Sequence, residues 1–166
     1  MNTLTDQDLR DVVAGFSIPG DLISALPFGT GHINDTFQLT FDQAGTLVHY
    51  TLQRLNTTVF RDPASLMENV RRVTTHARAS LLAAGAPEAS RRALTLVPTR
   101  DGGILLQNAR GEAWRCYHFI EKCSTVDIVD TPAKAFEAAR AFARFQALLA
   151  DMPGGRLNET IPDFHH

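Results

Sequence analysis

Phe28-Gly29-Thr30-Gly31-His32-Ile33-Asn34-Asp35-Thr36-Phe37 is the stretch on which the fold turns, together with Tyr50-Thr51-Leu52-Gln53-Arg54-Leu55-Asn56 further along. Polar and apolar residues alternate on either side of Gly29-Thr30-Gly31 and again toward Leu55, the period of strands with one buried face. A glycine turn thus joins two strands, and the next strand delivers a lone cation. Glycines tolerate positive φ and carry no side chain, so backbone amides can approach an anion closely, as in a grip on nucleotide phosphates. A bare hairpin turn also accounts for Gly29-Thr30-Gly31 taken alone. Asn34 adds a group able to donate to a phosphate oxygen, and Asp35 follows it.

Outward from this stretch the pattern is β from Leu22 to Leu55: Ile23 to Phe28, Ile33 to Phe41, a polar Asp42-Gln43-Ala44-Gly45 turn, and Leu47 to Leu55. That is a three-stranded antiparallel meander. Upstream, Thr5 and Asp8 form a capping pattern before the apolar stripe Leu9, Val12 and Val13, and Gly15 ends this short helix. Downstream, Asp62-Pro63 starts a long helix in which Leu66, Val70, Val73, Ala77 and Leu81 recur up to Gly85. After Pro87, Leu94 to Pro98, Gly103 to Gln107 and Ala113 to Ile120 read as strands that extend the sheet, joined by Asp101-Gly102 and Ala109-Arg110-Gly111. Thr131-Pro132 opens a last helix through Phe136, Ala139, Phe142, Ala143 and Leu149, and Pro153-Gly154-Gly155 stops it. Lys134, Glu137, Arg140 and Arg144 form its polar side, so it is expected to pack on one side only. The expected class is α+β, a five-stranded antiparallel sheet with one long packed helix.

Composition narrows the function classes. The 166 residues are 44% hydrophobic and 20% charged, ordinary globular proportions. A formal net charge of -2 gives no basis for nucleic acid as a partner. No basic and apolar leader opens the sequence and no apolar run reaches about 18 residues, so a cytoplasmic protein without a membrane partner is expected. Cys116 and Cys123 match neither a CxxC pair nor a zinc site and are read as free thiols. The histidines show no ligand spacing, which argues against a histidine metal site.

The glycine pattern is not a dinucleotide fingerprint, because that motif opens a helix and Ile33 to Phe41 continues as strand. No GKS or GKT follows, which excludes a P-loop. Phosphoryl-transfer folds with a glycine loop over the nucleotide place a cation on the third strand, paired with an acid on the next helix. The only lysines are Lys122 and Lys134, so that role, if filled at all, falls to arginine, and the candidate Arg54 also fits a solvated arginine on an edge strand. Arg54 shares a strand face with Leu52, whereas Gln53 and Leu55 point the other way. A guanidinium stays charged and offers a fork matched to phosphate oxygens. Glu68 is the acid of the long helix: it either meets Arg54 or pairs with Arg71 or Arg72 along the helix. Tyr117-His118-Phe119-Ile120-Glu121-Lys122 ends the fifth strand, and His118 and Phe119 also fit plain sheet core.

These segments resemble the aminoglycoside and choline kinase-like phosphotransferase family, most closely its N-acetylhexosamine 1-kinase-like branch. The likeness lies in Gly29 to Phe37, Leu52-Gln53-Arg54-Leu55-Asn56, Asp62-Pro63, Leu66-Met67-Glu68-Asn69, Arg72-Val73-Thr74 and Ile161-Pro162-Asp163-Phe164-His165. It implies a protein-kinase-like N-terminal lobe that binds ATP over residues 1–120, then a hinge and the start of a truncated C-terminal lobe over 121–166, with its linker and first helix. By that resemblance Gly29, Thr30, Gly31, His32, Ile33, Asn34 and Asp35 form the phosphate loop, Arg54 is the strand cation and Glu68 the helix acid. His118, Phe119, Ile120 and Glu121 form the adenine hinge. The implied reaction transfers the ATP γ-phosphate to a hydroxyl of a small-molecule acceptor, a sugar or amino sugar, with choline, homoserine or an aminoglycoside as alternatives. The family's catalytic Asp, its Asn partner and its Mg2+-binding Asp have no match here: Asp127, Asp130, Asp151 and Asp163 lack the pattern. They are expected downstream of His166, and the fragment alone is expected to be inactive. A non-catalytic lobe that binds nucleotide weakly or associates with a partner is the further alternative; an exposed apolar side on the Phe136 to Leu149 helix would favour it.

Overall fold

A computed structural model describes residues 4–124, 126 and 128–164. Asp127, His165 and His166, which entered the sequence reading, lie outside the described residues. The elements run α1 (Asp6–Ala14), β1 (Asp21–Pro27), β2 (Asp35–Gln43), β3 (Thr46–Arg54), α2 (Pro63–Ala83), α3 (Ala89–Arg92), β4 (Leu106–Gln107), β5 (Ala113–His118) and α4 (Pro132–Leu149). The chain is α+β, with a five-stranded sheet in the order β1-β2-β3-β5-β4 and every pairing antiparallel. Two compact units divide it: residues 1–71, 94–119 and 157–166 in one, 72–93 and 120–156 in the other.

The sheet belongs to the first unit, and strand alternation gives its two faces different characters. Phe37, Leu39 and Phe41 of β2 lie opposite Leu52, Tyr50 and Val48 of β3, and Cys116 of β5 continues the row across Leu52. These residues and Trp114 enclose Leu9, Val12 and Val13 of α1 and the neighbouring Phe16 in one core. A nine-residue helix is too short to persist alone in water, so α1 owes its existence to this burial and to its cap. Thr5 Oγ1 accepts from the Asp8 amide while the Asp8 carboxylate accepts from the Thr5 amide. On the other face, Leu66, Met67 and Val70 from the first turns of α2 pack on Leu55 and Ala113. Asp62 starts α2 as expected, its carboxylate accepting from the Ser65 amide at 3.0 Å.

The β2–β3 hairpin is tighter than the four-residue turn expected at Asp42 to Gly45. Asp42 and Gln43 stay in the ladder, and only Ala44 (φ 54°) and Gly45 (φ 86°) turn the chain, both left-handed as type I′ geometry requires. Asp42 Oδ1 fixes the corner by accepting from the Gly45 amide at 2.7 Å. On β1 a register shift between Leu22 and Ser24 frees Ile23 from the alternation and leaves it exposed.

Three expectations need correction. Leu94 to Pro98 is not a strand but contributes a single bridge, Leu96 to Tyr117, and the strand expected from Gly103 shrinks to Leu106–Gln107. The cause is a tight reversal: the Gly102 amide donates to the Thr99 carbonyl, and Thr99 and Gly103 close the loop through the Thr99 amide. The one-turn α3 was missed, being too short to show a period. In the second unit α4 begins at its Thr131-Pro132 cap as expected, but no residue of it is buried and Phe136, Phe142 and Phe145 face solvent. This unit is tied by polar groups instead. Arg72 donates to the carbonyls of Pro153, Gly155 and Arg156, and His76 Nε2 lies 3.1 Å from the Leu148 carbonyl and from Asp151 Oδ1.

Candidate functional site

Phe28 to Asn34 forms the link between β1 and β2, longer by three residues than the sequence suggested because β1 ends at Pro27 rather than Phe28 and β2 begins at Asp35 rather than Ile33. The link is anchored at its root, where the Phe28 amide donates to the Thr36 carbonyl at 2.9 Å. Gly29 has φ 81°, a conformation that side chains other than glycine adopt at a cost; Gly31 has an ordinary φ. A Cβ at either position would meet no atom within 4 Å. Gly29, Thr30, Gly31, His32 and Ile33 are exposed and Asn34 half-buried, so the link is uncovered along most of its length. Asn34 Oδ1 is engaged, accepting from the Asn56 amide at 3.0 Å and holding the end of the link to the segment after β3.

Arg54 is saturated by carboxylates. Its Nε and Nη2 donate to Asp35 Oδ2 at 2.8 and 2.6 Å, and its Nη1 donates to Glu112 Oε1 at 2.7 Å. The guanidinium lies 5.8 Å from the Trp114 ring centroid, on the sheet face that packs α1. Burial works against its charge, but the bonds to Asp35 and Glu112 outweigh that and hold its pKa above the ordinary arginine value. For Glu112 burial pushes the pKa up, and bonds from Asn108 and Arg54 with the charge of Arg110 bring it below the usual range. Arg110 also reaches Asp8 at 2.9 Å, so charges alternate along Asp35, Arg54, Glu112, Arg110 and Asp8. A cleft of about 260 Å³ opens beside this chain, lined by Ile33, Asp35, Arg54, Asn56 and Glu112.

The pairing of Arg54 with Glu68 does not form. Glu68 takes the other course anticipated for it and binds Arg71 two-pronged, with Nε–Oε2 at 2.9 Å and Nη2–Oε1 at 2.7 Å, both side chains largely solvated. His118 is exposed at the end of β5, its ring 4.9 Å from Tyr50, and its amide donates to the Thr95 carbonyl. Phe119 donates from its amide to His49 and meets the Phe28 ring edge-on at 5.2 Å. Ile120 and Glu121 fall in the second unit, their carbonyls accepting from Cys123 Sγ and Arg91.

The contact between Phe28 and Phe119 bears on shape. Phe28 extends β1 and Phe119 extends β5, three strand spacings apart, about 14 Å on a flat sheet. Their rings touch only because the sheet curls, making the face opposite α1 concave. On this face lies a polar row that sequence reasoning passed over. Thr36, Gln53 and Arg115 are successive cross-strand neighbours on β2, β3 and β5. Gln53 Nε2 donates to Thr36 Oγ1 at 2.9 Å, and Arg115 donates to Gln53 Oε1 from Nε at 2.9 Å and Nη2 at 2.8 Å. Burial lowers the Arg115 pKa, and the Tyr117 ring lies 6.0 Å away. The available signal was parity: Arg115 alternates with the core residues Trp114 and Cys116, so it had to share a face with Gln53.

Among the described residues no group of three His, Cys, Asp or Glu side chains is placed to hold a metal ion, and no helix is long and apolar enough to cross a membrane. No protein-family model matches the sequence.

Proposed function

We propose that this chain is the ATP-binding lobe of a small-molecule kinase, an enzyme that transfers the γ-phosphate to a hydroxyl of a sugar or amino sugar. The supporting observation is the uncovered Phe28–Asn34 link over the edge of a concave, polar sheet face, with Phe28 and Phe119 supplying apolar rings. Amides of the link can turn toward phosphate oxygens, while the rings suit a flat purine. The helix after β3 and the antiparallel order β1-β2-β3-β5-β4 agree with a protein-kinase-like lobe. Mg2+, when bound, would neutralise phosphate charge that develops during transfer. The chain's own residues would hold and orient the nucleotide; orienting the acceptor hydroxyl needs an Asp-x-x-x-x-Asn type of segment, which these residues do not contain.

The test is a titration with ATP and Mg2+ followed by backbone amide NMR. Shifts should concentrate at Gly29 to Asn34 and at His118 and Phe119. Unmoved link amides at millimolar ATP overturn the assignment. A second reading, a lobe that associates with a protein partner, is favoured by the exposed Phe142 and Phe145 on one side of α4. Concentration-independent sedimentation as a monomer, with no partner recovered by crosslinking through that helix, would count against it.

A further inference from the structure

We infer that Arg115, carried by β5 and not by β3, is the cation that receives a phosphate group of the bound nucleotide. The inference rests on the nucleotide-binding reading above and reassigns the role that sequence spacing gave to Arg54. The two arginines differ in how their charge is met. Arg54 has three charge-assisted bonds to Asp35 and Glu112, so an incoming phosphate would have to displace a carboxylate and then sit beside it. Arg115 is partly buried, and among the described residues no carboxylate lies within ion-pair distance of it. Its one hydrogen-bonding partner is the neutral Gln53 oxygen, which engages Nε and Nη2. The sole buried polar side-chain atom without a partner among the described residues is Trp114 Nε1, so Nη1 of Arg115, which Gln53 does not engage, is not sealed from its surroundings.

Desolvating a guanidinium without a counter-charge costs free energy that an anion would recover. The geometry is set in advance for one. Thr36 orients the Gln53 amide through its hydroxyl, and Gln53 in turn holds the guanidinium by two of its five N–H groups, leaving three donors in a fixed orientation. The row Thr36, Gln53, Arg115 continues the Phe28 position at the root of the glycine link, since the Phe28 amide bonds the Thr36 carbonyl. The root of the link and the guanidinium therefore lie on one row of the same sheet face, a pairing suited to a polyphosphate, which carries several charged oxygens along its length.

The experiment is calorimetric titration of the 166-residue chain with ATP, adenosine and inorganic triphosphate, on the wild type and on Arg115→Gln. The wild type should bind ATP and triphosphate, and Arg115→Gln should weaken both by about tenfold or more, as expected for loss of a charged hydrogen-bonding partner, with adenosine binding unchanged. Equal ATP affinity in the two proteins overturns the Arg115 assignment and leaves the lobe reading standing. Binding of neither ATP nor triphosphate by the wild type overturns both. Triphosphate binding without any adenosine or ATP preference retains the anion site and removes the nucleotide. A measurement without a variant guards against misfolding: the Nε–H resonance of Arg115 should shift on adding triphosphate to the wild type, and a stationary resonance at saturation refutes the inference.

Discussion

Replacing Arg54 with Met should destabilise the first unit by an amount that depends on pH. The bond to Glu112, whose side chain is 21% exposed, is a charge-assisted pair worth about 1.5–3 kcal/mol net. The pair with Asp35, 37% exposed on the acid side, is screened by water and adds about 0.2–1 kcal/mol. Methionine keeps much of the packing over Trp114 but removes the Arg54 charge from both acids, with Asn108 and Arg110 still on Glu112, so a loss of about 2–4 kcal/mol is expected at pH 7. The sign of the pH dependence follows from Glu112, whose folded pKa is depressed. Its stabilisation is full above the unfolded value of about 4.3 and fades as pH falls through the folded pKa. The gap between wild type and variant should therefore narrow in acid. Urea unfolding at pH 7 and at about pH 4 can be followed by the fluorescence of Trp114, the single tryptophan and fully buried. A gap under about 0.5 kcal/mol at pH 7, or one of constant size at both pH values, refutes the charge-chain account.

Other outcomes follow from local geometry. Gly20→Ala should be severe, because its Cβ would lie 2.1 Å from the Asp42 carbonyl oxygen at φ 86°; thermal unfolding within a degree of wild type would contradict this. Gly29→Ala should cost about 1–2 kcal/mol through its left-handed φ alone, whereas Gly31→Ala should be neutral or slightly stabilising; equal denaturation midpoints for the two would show the link is built differently. Thiol labelling of the folded chain should modify Cys123 rapidly and spare Cys116, which is buried with its pKa pushed up to about 12. Two equally fast thiols would mean that the β5 core opens. Asn34→Ala should lose about 1 kcal/mol with the Asn56 tie, read as a lower urea midpoint with an unchanged slope.

Local signals carried the elements well where the physics is local. Thr5 with Asp8, Asp62 before Pro63, and Thr131 before Pro132 each cap a helix with groups three residues apart, and all three helices start where those residues sit. The alternation around Phe37 to Phe41 and Val48 to Leu52 likewise marked which residues enter the core. The segment from Leu94 to Gln107 was misjudged because alternation alone cannot distinguish a strand from an extended chain; pairing partners decide that, and here Leu94 to Pro98 meets β5 only around the Leu96–Tyr117 bridge. The apolar side of α4 was legible as a pattern, but a stripe does not state whether anything covers it.

The candidate site shows the same division at the level of single side chains. Period-two alternation along one strand is a covalent consequence of the pleat, so the sequence alone determined that Arg54 and Gln53 point to opposite faces. Which face curls inward, which one α1 covers, and which carboxylates meet Arg54 were decided by cross-strand register, which brought Asp35 and Glu112 from distant positions to within hydrogen-bond reach. A charge is neutralised by whatever lies a few ångströms away in space, and that neighbour is chosen by packing of the whole sheet rather than by any local run of residues.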